Sequence, residues 1–467
     1  MANSYLQKTF TSNGNRRTMT ISFWIKRSEL GVEENLFGSG QGSVNSFCRF
    51  ETNDQLKIFD YNGQAGQWIL ATTRQFFDTT SWYHIHYILD SSQSTAADRV
   101  QLYVNGVRET DFSSETYPNQ NTDFNWNSSA QSWAIGAKIY GGSTSQYFNG
   151  QLAHFHFVDG TASAPTVFGE TDSTTGEWKP KLNPSVTYGS EGFFLKFENS
   201  GALGTDSSGN SNTFTVNGNL KQSISTPSNL FATFNYLHNG VGQDNVISYA
   251  GTQIDHANDT YTGKITCATL GMNKGKWYWE TKYSSTGGYL SVGFARNGCD
   301  GITNNIRKNN QLGDDSDGAG NSWAFRAGNS SGQIVKKLRH NNADAVADMG
   351  VTPAVNDIIQ CWLDLDNGKA WWGINGTVMN SGSGVGVPNS GTYPHVTFTV
   401  GTEFYIPAVS LYGFNGACQC QVNFGEGRFG TTALSSAVAD NDDNGSFEHS
   451  PLSGFYSICT ANLKNYG

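Results

Sequence analysis

The chain is poor in charge. Only 15% of its 467 residues are Asp, Glu, Lys or Arg, the balance is −10, and no run of Lys and Arg occurs anywhere. A nucleic-acid binder concentrates basic side chains against phosphate, so nucleic acid is disfavoured as the main partner. Long apolar runs are missing as well. Nothing approaches the ~20 apolar residues of a membrane span, and no membrane insertion is expected. The opening Met1-Ala2-Asn3-Ser4-Tyr5 has no apolar core, so no secretory signal is read there. Cys48, Cys267, Cys299, Cys361, Cys418, Cys420 and Cys459 contain no Cys-x-x-Cys pair. That argues against a zinc ribbon and leaves reduced thiols, in a protein made in a cytosol, as the plain expectation.

What is present is material for sheets. Aromatics make up 13%, apolar residues 37%, and there are 54 glycines beside abundant Asn, Ser and Thr. This composition is not that of a disordered chain, and it predicts many short strands joined by tight turns. Lys276-Trp277-Tyr278-Trp279-Glu280 alternates with a period of two, placing Trp277 and Trp279 on one face and Tyr278 and Glu280 on the other. Thr286-Gly287-Gly288 supplies the turn into Tyr289-Leu290-Ser291-Val292-Gly293-Phe294. In the first half, Thr18 to Lys26 alternates well, and Trp82 to Asp90 and Arg99 to Val107 follow, with Asn105-Gly106 as a two-residue hairpin signal. Phe148 to Gly160 is another strand, and Gly192 to Phe197 closes the pattern. Between Gly201 and Asn229 the strand rhythm is lost, and Gly204-Thr205-Asp206-Ser207-Ser208-Gly209-Asn210 is turn-rich.

These patterns resemble known families. Residues 1–200 resemble the laminin-G and concanavalin-A-like jelly roll. Trp277 to Ala295, Asp357 to Gly376 with its Asp366-Asn367-Gly368 turn, and Phe404 to Tyr412 resemble a SPRY domain. The resemblance implies an all-β chain of two β-sandwich domains: a jelly roll over 1–200, a linker over 201–229, a SPRY-like sandwich over 230–430 and a C-terminal tail over 431–467. It also implies binding through loops rather than catalysis. The whole order, ending Gly454-Phe455-Tyr456 with Asn462-Leu463, is similar to structural proteins of tailed bacteriophages. That resemblance implies a virion protein made in the host cytoplasm: a tail fibre or receptor-binding component adhering to host cell-surface glycan. The alternative is a capsid or neck decoration protein contacting other virion proteins, which the start in a strand close behind Met1 favours. A glycan depolymerase is the least favoured reading. A homo-oligomer or multi-copy assembly is expected, because single shallow sugar sites need multiplicity.

A retaining glycosidase needs two carboxyls roughly 5 Å apart. Glu109-Thr110-Asp111-Phe112-Ser113-Ser114-Glu115 falls one residue off the usual glucanase spacing, on a strand expected to be outer and solvated. Gly328-Asn329-Ser330-Ser331-Gly332 spells a nucleophile elbow, but Gln333 to Leu338 reads as a return strand rather than the required helix. His84 and His86, and His154 and His156, each project to one side of a strand; four imidazoles around a metal compete there with half-exposed polar positions. No metal or cofactor is assigned. Calcium stays open at two acidic loops, Asp314, Asp315 and Asp317, and Asp440, Asp442 and Asn444, the latter set matching only the first half of an EF-hand loop.

The positive signal is a binding surface, since sugar sites use aromatic faces beside Asn, Asp and Gly. Loop aromatics are Trp126, Trp133, Tyr140 and Tyr147 in the first half, and Tyr249, Tyr261, Tyr289, Trp323 and Tyr393 in the second. Most aromatics are expected in the sandwich cores, including Trp277, Trp279 and Trp362.

Overall fold

A computed structural model of the chain describes residues 3–41, 44–61, 68–129, 131–173, 176–239, 245–256, 264–284, 288–296, 311–314, 321–330, 333–413 and 418–467. It is almost entirely β, and it divides into two compact units: Met1–Gln222 with Thr226–Ser228, and Ser223–Ser225 with Asn229–Gly467.

The first unit packs an eight-stranded on a six-stranded sheet. The longer runs, in order, through Phe112–Thr116, Trp68–Gln75, Gln55–Tyr61, Val44–Phe50, Glu34–Gln41, Ser132–Ile135, Tyr5–Thr9 and Thr215–Asn217. The shorter runs through Phe193–Leu195, Gly150–Asp159, Thr18–Arg27, Tyr83–Asp90, Val100–Val104 and Val107–Arg108. Alternation decides what is buried: Ile21, Phe23 and Ile25, with Ile85, Tyr87, Phe155 and Phe157, share one core with Cys48, Phe50, Ile58 and Leu70. Removing each such side chain from water contributes about 1.5–3 kcal/mol. Asn105 and Gly106 take positive φ of 50° and 78° at the predicted hairpin, where Val104 pairs with Val107. Residues 201–229 do not form a free linker. Leu203 and Phe214 are buried, and Thr215–Asn217 adds to the sheet beside Tyr5–Thr9 by backbone pairing.

The second unit pairs a seven-stranded sheet (Phe234–Asn239, Lys264–Ala268, Tyr405–Gly413, Gly288–Arg296, Ser322–Ser330, Gln333–His340, Ala343–Val346) with a second sheet. The latter runs through Asn245–Ser248, Gln253–His256, Cys418–Asn423, Lys276–Tyr283, Ile358–Asp364, Lys369–Ile374 and Thr377–Val378, with Val396–Thr397 against Lys369–Ile374. Trp277 and Trp279 lie in the core between them. Trp362 does not. It is buried with Tyr278 and Trp371 on the opposite face of the sheet, beneath Phe447 and Phe455.

The segment expected as a C-terminal tail therefore forms a third layer. Tyr456 accepts from the Tyr278 N–H and donates to the Lys276 carbonyl, and the Trp362 indole donates to the Pro451 carbonyl at 2.7 Å. Buried Glu280 takes the backbone N–H groups of Glu448 and His449 at 2.9 and 2.8 Å. Burial raises its pKa to about 7. The helix Thr460–Tyr466 ends the chain, and the Cys459 region pairs with Phe231, so the two ends of this unit meet.

Candidate functional site

The glucanase-like carboxylates do not converge. Glu109 pairs with Arg74 at 3.1 Å, Asp111 accepts from the Thr73 hydroxyl and Glu115 from the Tyr117 hydroxyl. They line the edge strand Phe112–Thr116, which is mostly exposed. At the elbow spelling, Ser330 pairs with Gln333 and Asn329 with Ile334, so the second strand returns as a hairpin; Ser331 and Gly332 lie outside the described residues.

The four histidines face the same side of the six-stranded sheet, but Thr18–Arg27 runs between their strands. Three of them are not half-exposed: His84, His86 and His156 are buried, because Ser163, Phe168, Trp178 and Tyr188 lie over this face, whereas His154, at a bulge with φ 48°, is partly buried. Several of their ring nitrogens are engaged, though among the described residues the Nδ1 atoms of His86 and His154 have no hydrogen-bond partner: His84 Nδ1 accepts from the Trp178 indole at 3.0 Å and its Nε2 meets the Ser22 hydroxyl at 2.8 Å. His86 Nε2 donates to the Ser163 carbonyl and His156 Nδ1 meets the Tyr188 hydroxyl. Burial drives all three pKa values down, His86 to about 3, so they are neutral packing groups.

The acidic loops are spent on protein partners. Asp314 holds Arg326 at 2.7 Å and Arg339 at 2.6 Å, a positive setting that opposes a cation; Asp315 and Asp317 lie outside the described residues. Asp440 is buried and accepts four N–H donors, from Asn444, Gly445, Ser457 and the Asn462 amide, so its oxygens act as a turn clamp. Asn444 donates to Asn462, and Asp442 accepts the Tyr466 hydroxyl. Among the described residues, no group of three His, Cys, Asp or Glu is arranged to hold a metal.

The loop aromatics separate into two groups. Trp126 and Trp133 are core, with the Trp133 indole donating to the Trp126 carbonyl, and Trp323 is core, stacked on His340 at 4.7 Å. These three are corrected from surface to interior: each occupies an inward position that outranks its polar sequence neighbours. Tyr147 packs on Tyr5, Tyr249 is half-buried at a turn with φ 50°, and Tyr289 stacks with Tyr412. Tyr261 lies outside the described residues. Tyr140 and Tyr393 are exposed, 47% and 51%.

Tyr140 belongs to a larger surface. On the first unit's eight-stranded sheet, Phe47, Phe59 and Tyr61 point away from the core. Phe47 is paired directly across from Phe59, their rings 5.1 Å apart and stacked, and Phe59 stacks with Tyr61 at 6.2 Å. Phe59 and Tyr61 are half-buried, whereas Phe47 is buried beneath the Arg49 guanidinium at 4.6 Å. The strand Lys138–Tyr140 crosses this face. It can do so because of Gly38 and Gly40: a Cβ at 40 would lie 2.6 Å from the Ile139 carbonyl. The crossing strand sets the Lys138 ammonium 5.7 Å from the Phe47 ring and 5.9 Å from that of Tyr140. Glu33 and Glu51 nearby are both paired with Arg49. The floor is thus Phe59 and Tyr61, which keep part of their area in water, with buried Phe47 packed against Phe59 and a lysine and a tyrosine at its wall, an aromatic surface suited to contact with sugar rings. Sequence reading missed Phe47, Phe59 and Tyr61 by searching loops; the alternation Lys57-Phe59-Tyr61 along one strand carried the signal.

The second unit has a smaller exposed set. Val385, Val387 and Tyr393 are 58%, 43% and 51% exposed on one loop. The loop is held by bridges Asn380 to Val385 and Val387 to Thr392 and by the Trp371 indole donating to Thr392.

Residues 2–168 match the family described as the concanavalin A-like lectin/glucanases superfamily, and residues 276–427 match the SPRY domain. No curated protein matches the chain. Among solved structures it is similar to the SPRY domain of human HERC1, at 15% identity over 40% of this chain and 96% of that one, TM-score 0.28. It is similar to the TRIM65 PSpry domain at 13% identity over 41% and 91%, TM-score 0.28. It is also similar to a heptameric SAP-like pentraxin from Limulus polyphemus at 13% identity over 33% and 70%, TM-score 0.26. The chain carries a concanavalin-A-like domain followed by a SPRY domain, two classes that typically bind rather than catalyse.

Proposed function

We propose that this chain is a recognition protein of a tailed-bacteriophage virion, a tail fibre or receptor-binding component that adheres to host surface glycan without cleaving it. The observation that carries the glycan reading is the aromatic row Phe47, Phe59 and Tyr61 beside Tyr140. Its surrounding carboxylates, Glu33 and Glu51, are tied to Arg49, which favours binding over acid–base work. The virion assignment is supported by the sequence order alone. Many copies on one particle would multiply a shallow site through effective concentration.

The test is retention of the purified chain on host polysaccharide with a parallel assay for reducing ends. Retention without release supports the reading, and release abolished by Glu109→Gln would replace it with a depolymerase. Immunogold labelling of purified particles locates the chain: label confined to tail tips fits adhesion. Label over the capsid or neck fits the second reading, a decoration protein. That reading is favoured by Val385, Val387 and Tyr393, an exposed apolar set better suited to a protein partner than to sugar.

A further inference from the structure

We infer that the saccharide taken by the first unit's aromatic face is anionic, bearing carboxylate or sulfate groups, with Lys138 as its charge contact. This rests on the glycan-binding reading and narrows it. Three cations surround the floor, Arg49, Lys57 and Lys138, against two carboxylates, Glu33 and Glu51. Arg49 is held by both carboxylates and Lys57 by Glu51 at 3.2 Å. Lys138 is different: among the described residues no carboxylate lies within ion-pair distance of it, and its ammonium stands near the Phe47 and Tyr140 rings. The face is therefore one unit positive on a chain that is −10 overall.

Ring faces attract an ammonium but accept none of its three N–H donors in the manner of an oxygen. A half-buried ammonium fixed by a crossing strand at the wall of a stacking floor is placed to meet an anion on the sugar. Charge-assisted bonds are the strong ones. The carboxylates and sulfates of acidic polysaccharides project from the ring edge, and Lys138 stands beside Phe47, the ring that stacks on Phe59.

The test uses the full chain and three polymers of matched length, polygalacturonate, dextran sulfate and neutral dextran, titrated at one ionic strength near 0.15 M, where the Debye length is about 8 Å. Both acidic polymers are expected to bind about tenfold tighter than dextran, the equivalent of one charge-assisted contact. Lys138→Gln should bring them to the level of dextran measured on the same variant, and Lys138→Arg should keep the preference. Equal affinity for all three polymers, or a preference that survives Lys138→Gln, overturns the inference and leaves the glycan reading standing. Failure of every polymer to bind overturns both. Circular dichroism of each variant separates lost contact from lost fold.

Discussion

The two units treat their outer sheet faces differently. In the second unit the face carrying Tyr278, Trp362 and Trp371 is roofed by residues 447–456 and is dry. In the first unit the face carrying Phe47, Phe59 and Tyr61 is crossed by one three-residue strand, and Phe59 and Tyr61 keep part of their area in water. Aromatic alternation on the outside of a sandwich thus has two outcomes. What separates them is whether another segment supplies apolar side chains to cover the rings, as Phe447 and Phe455 do.

The largest effects should come from breaking the roofed face. Trp279→Ala in the sandwich core and Trp362→Ala under the roof should each cost about 3–5 kcal/mol in denaturant unfolding. Only Trp362→Ala should also open residues 446–459 to limited proteolysis, since its indole anchors Pro451. Protection of that segment in Trp362→Ala would show that the layer is held some other way.

The first unit has its own roof, over the histidines, and this one should be acid-sensitive. His86 has a folded pKa of about 3 against an ordinary 6.5. A depressed folded value means the unfolded chain binds the proton first. The stability from burying the neutral ring is whole above pH ~6.5 and is lost as pH falls toward ~3, by a few kcal/mol in all. Buried Glu34, its pKa raised to about 8, works in the opposite direction over this range, so the test is a difference: from pH 7.5 to 4.5 His86→Gln should lose less Tm, or gain more, than the wild-type chain. Equal slopes in the two chains would mean that the His86 ring is not buried neutral.

A smaller loss is expected at the C-terminal clamp. Asp440→Ala leaves four donors unmatched and should cost about 1–3 kcal/mol, with no change in melting on adding calcium or chelator. A calcium-dependent Tm that vanishes in the variant would restore the ion-loop reading. The smallest effect is chemical. Cys48, Cys267, Cys361, Cys418, Cys420 and Cys459 are buried thiols, and burial raises those of Cys48 and Cys418 to about 12. These six should resist a thiol reagent in the native chain and react in denaturant; rapid native labelling of any of them would show its strand to be open.

The strands and both sandwiches were legible because alternation and turn residues such as Asn105-Gly106 and Asp366-Asn367-Gly368 act over a few residues. The layers were not. Nothing local to Tyr278-Trp279-Glu280 says that Phe447 and Phe455 will return to cover it, and Asp440 spells a calcium ligand until Ser457 and Asn462 arrive to bond it. The candidate site was half legible. Tyr140 was found as a loop aromatic, but Phe47, Phe59 and Tyr61 became a platform only through the cross-strand register that brings Phe47 opposite Phe59. Trp126, Trp133 and Trp323 were misplaced for the converse reason, since a polar neighbourhood in sequence does not reveal an inward rotamer.

The most direct test compares the open face with the second unit's exposed loop in one binding measurement. Host polysaccharide is titrated into the wild-type chain, the double variant Phe59→Ala/Tyr61→Ala, and Tyr393→Ala. Stacking on the first unit's sheet requires the double variant to lose at least about tenfold in affinity, with its fold intact by circular dichroism and Tyr393→Ala binding as wild type. Full binding by the double variant together with loss in Tyr393→Ala would contradict it and move recognition to the SPRY domain.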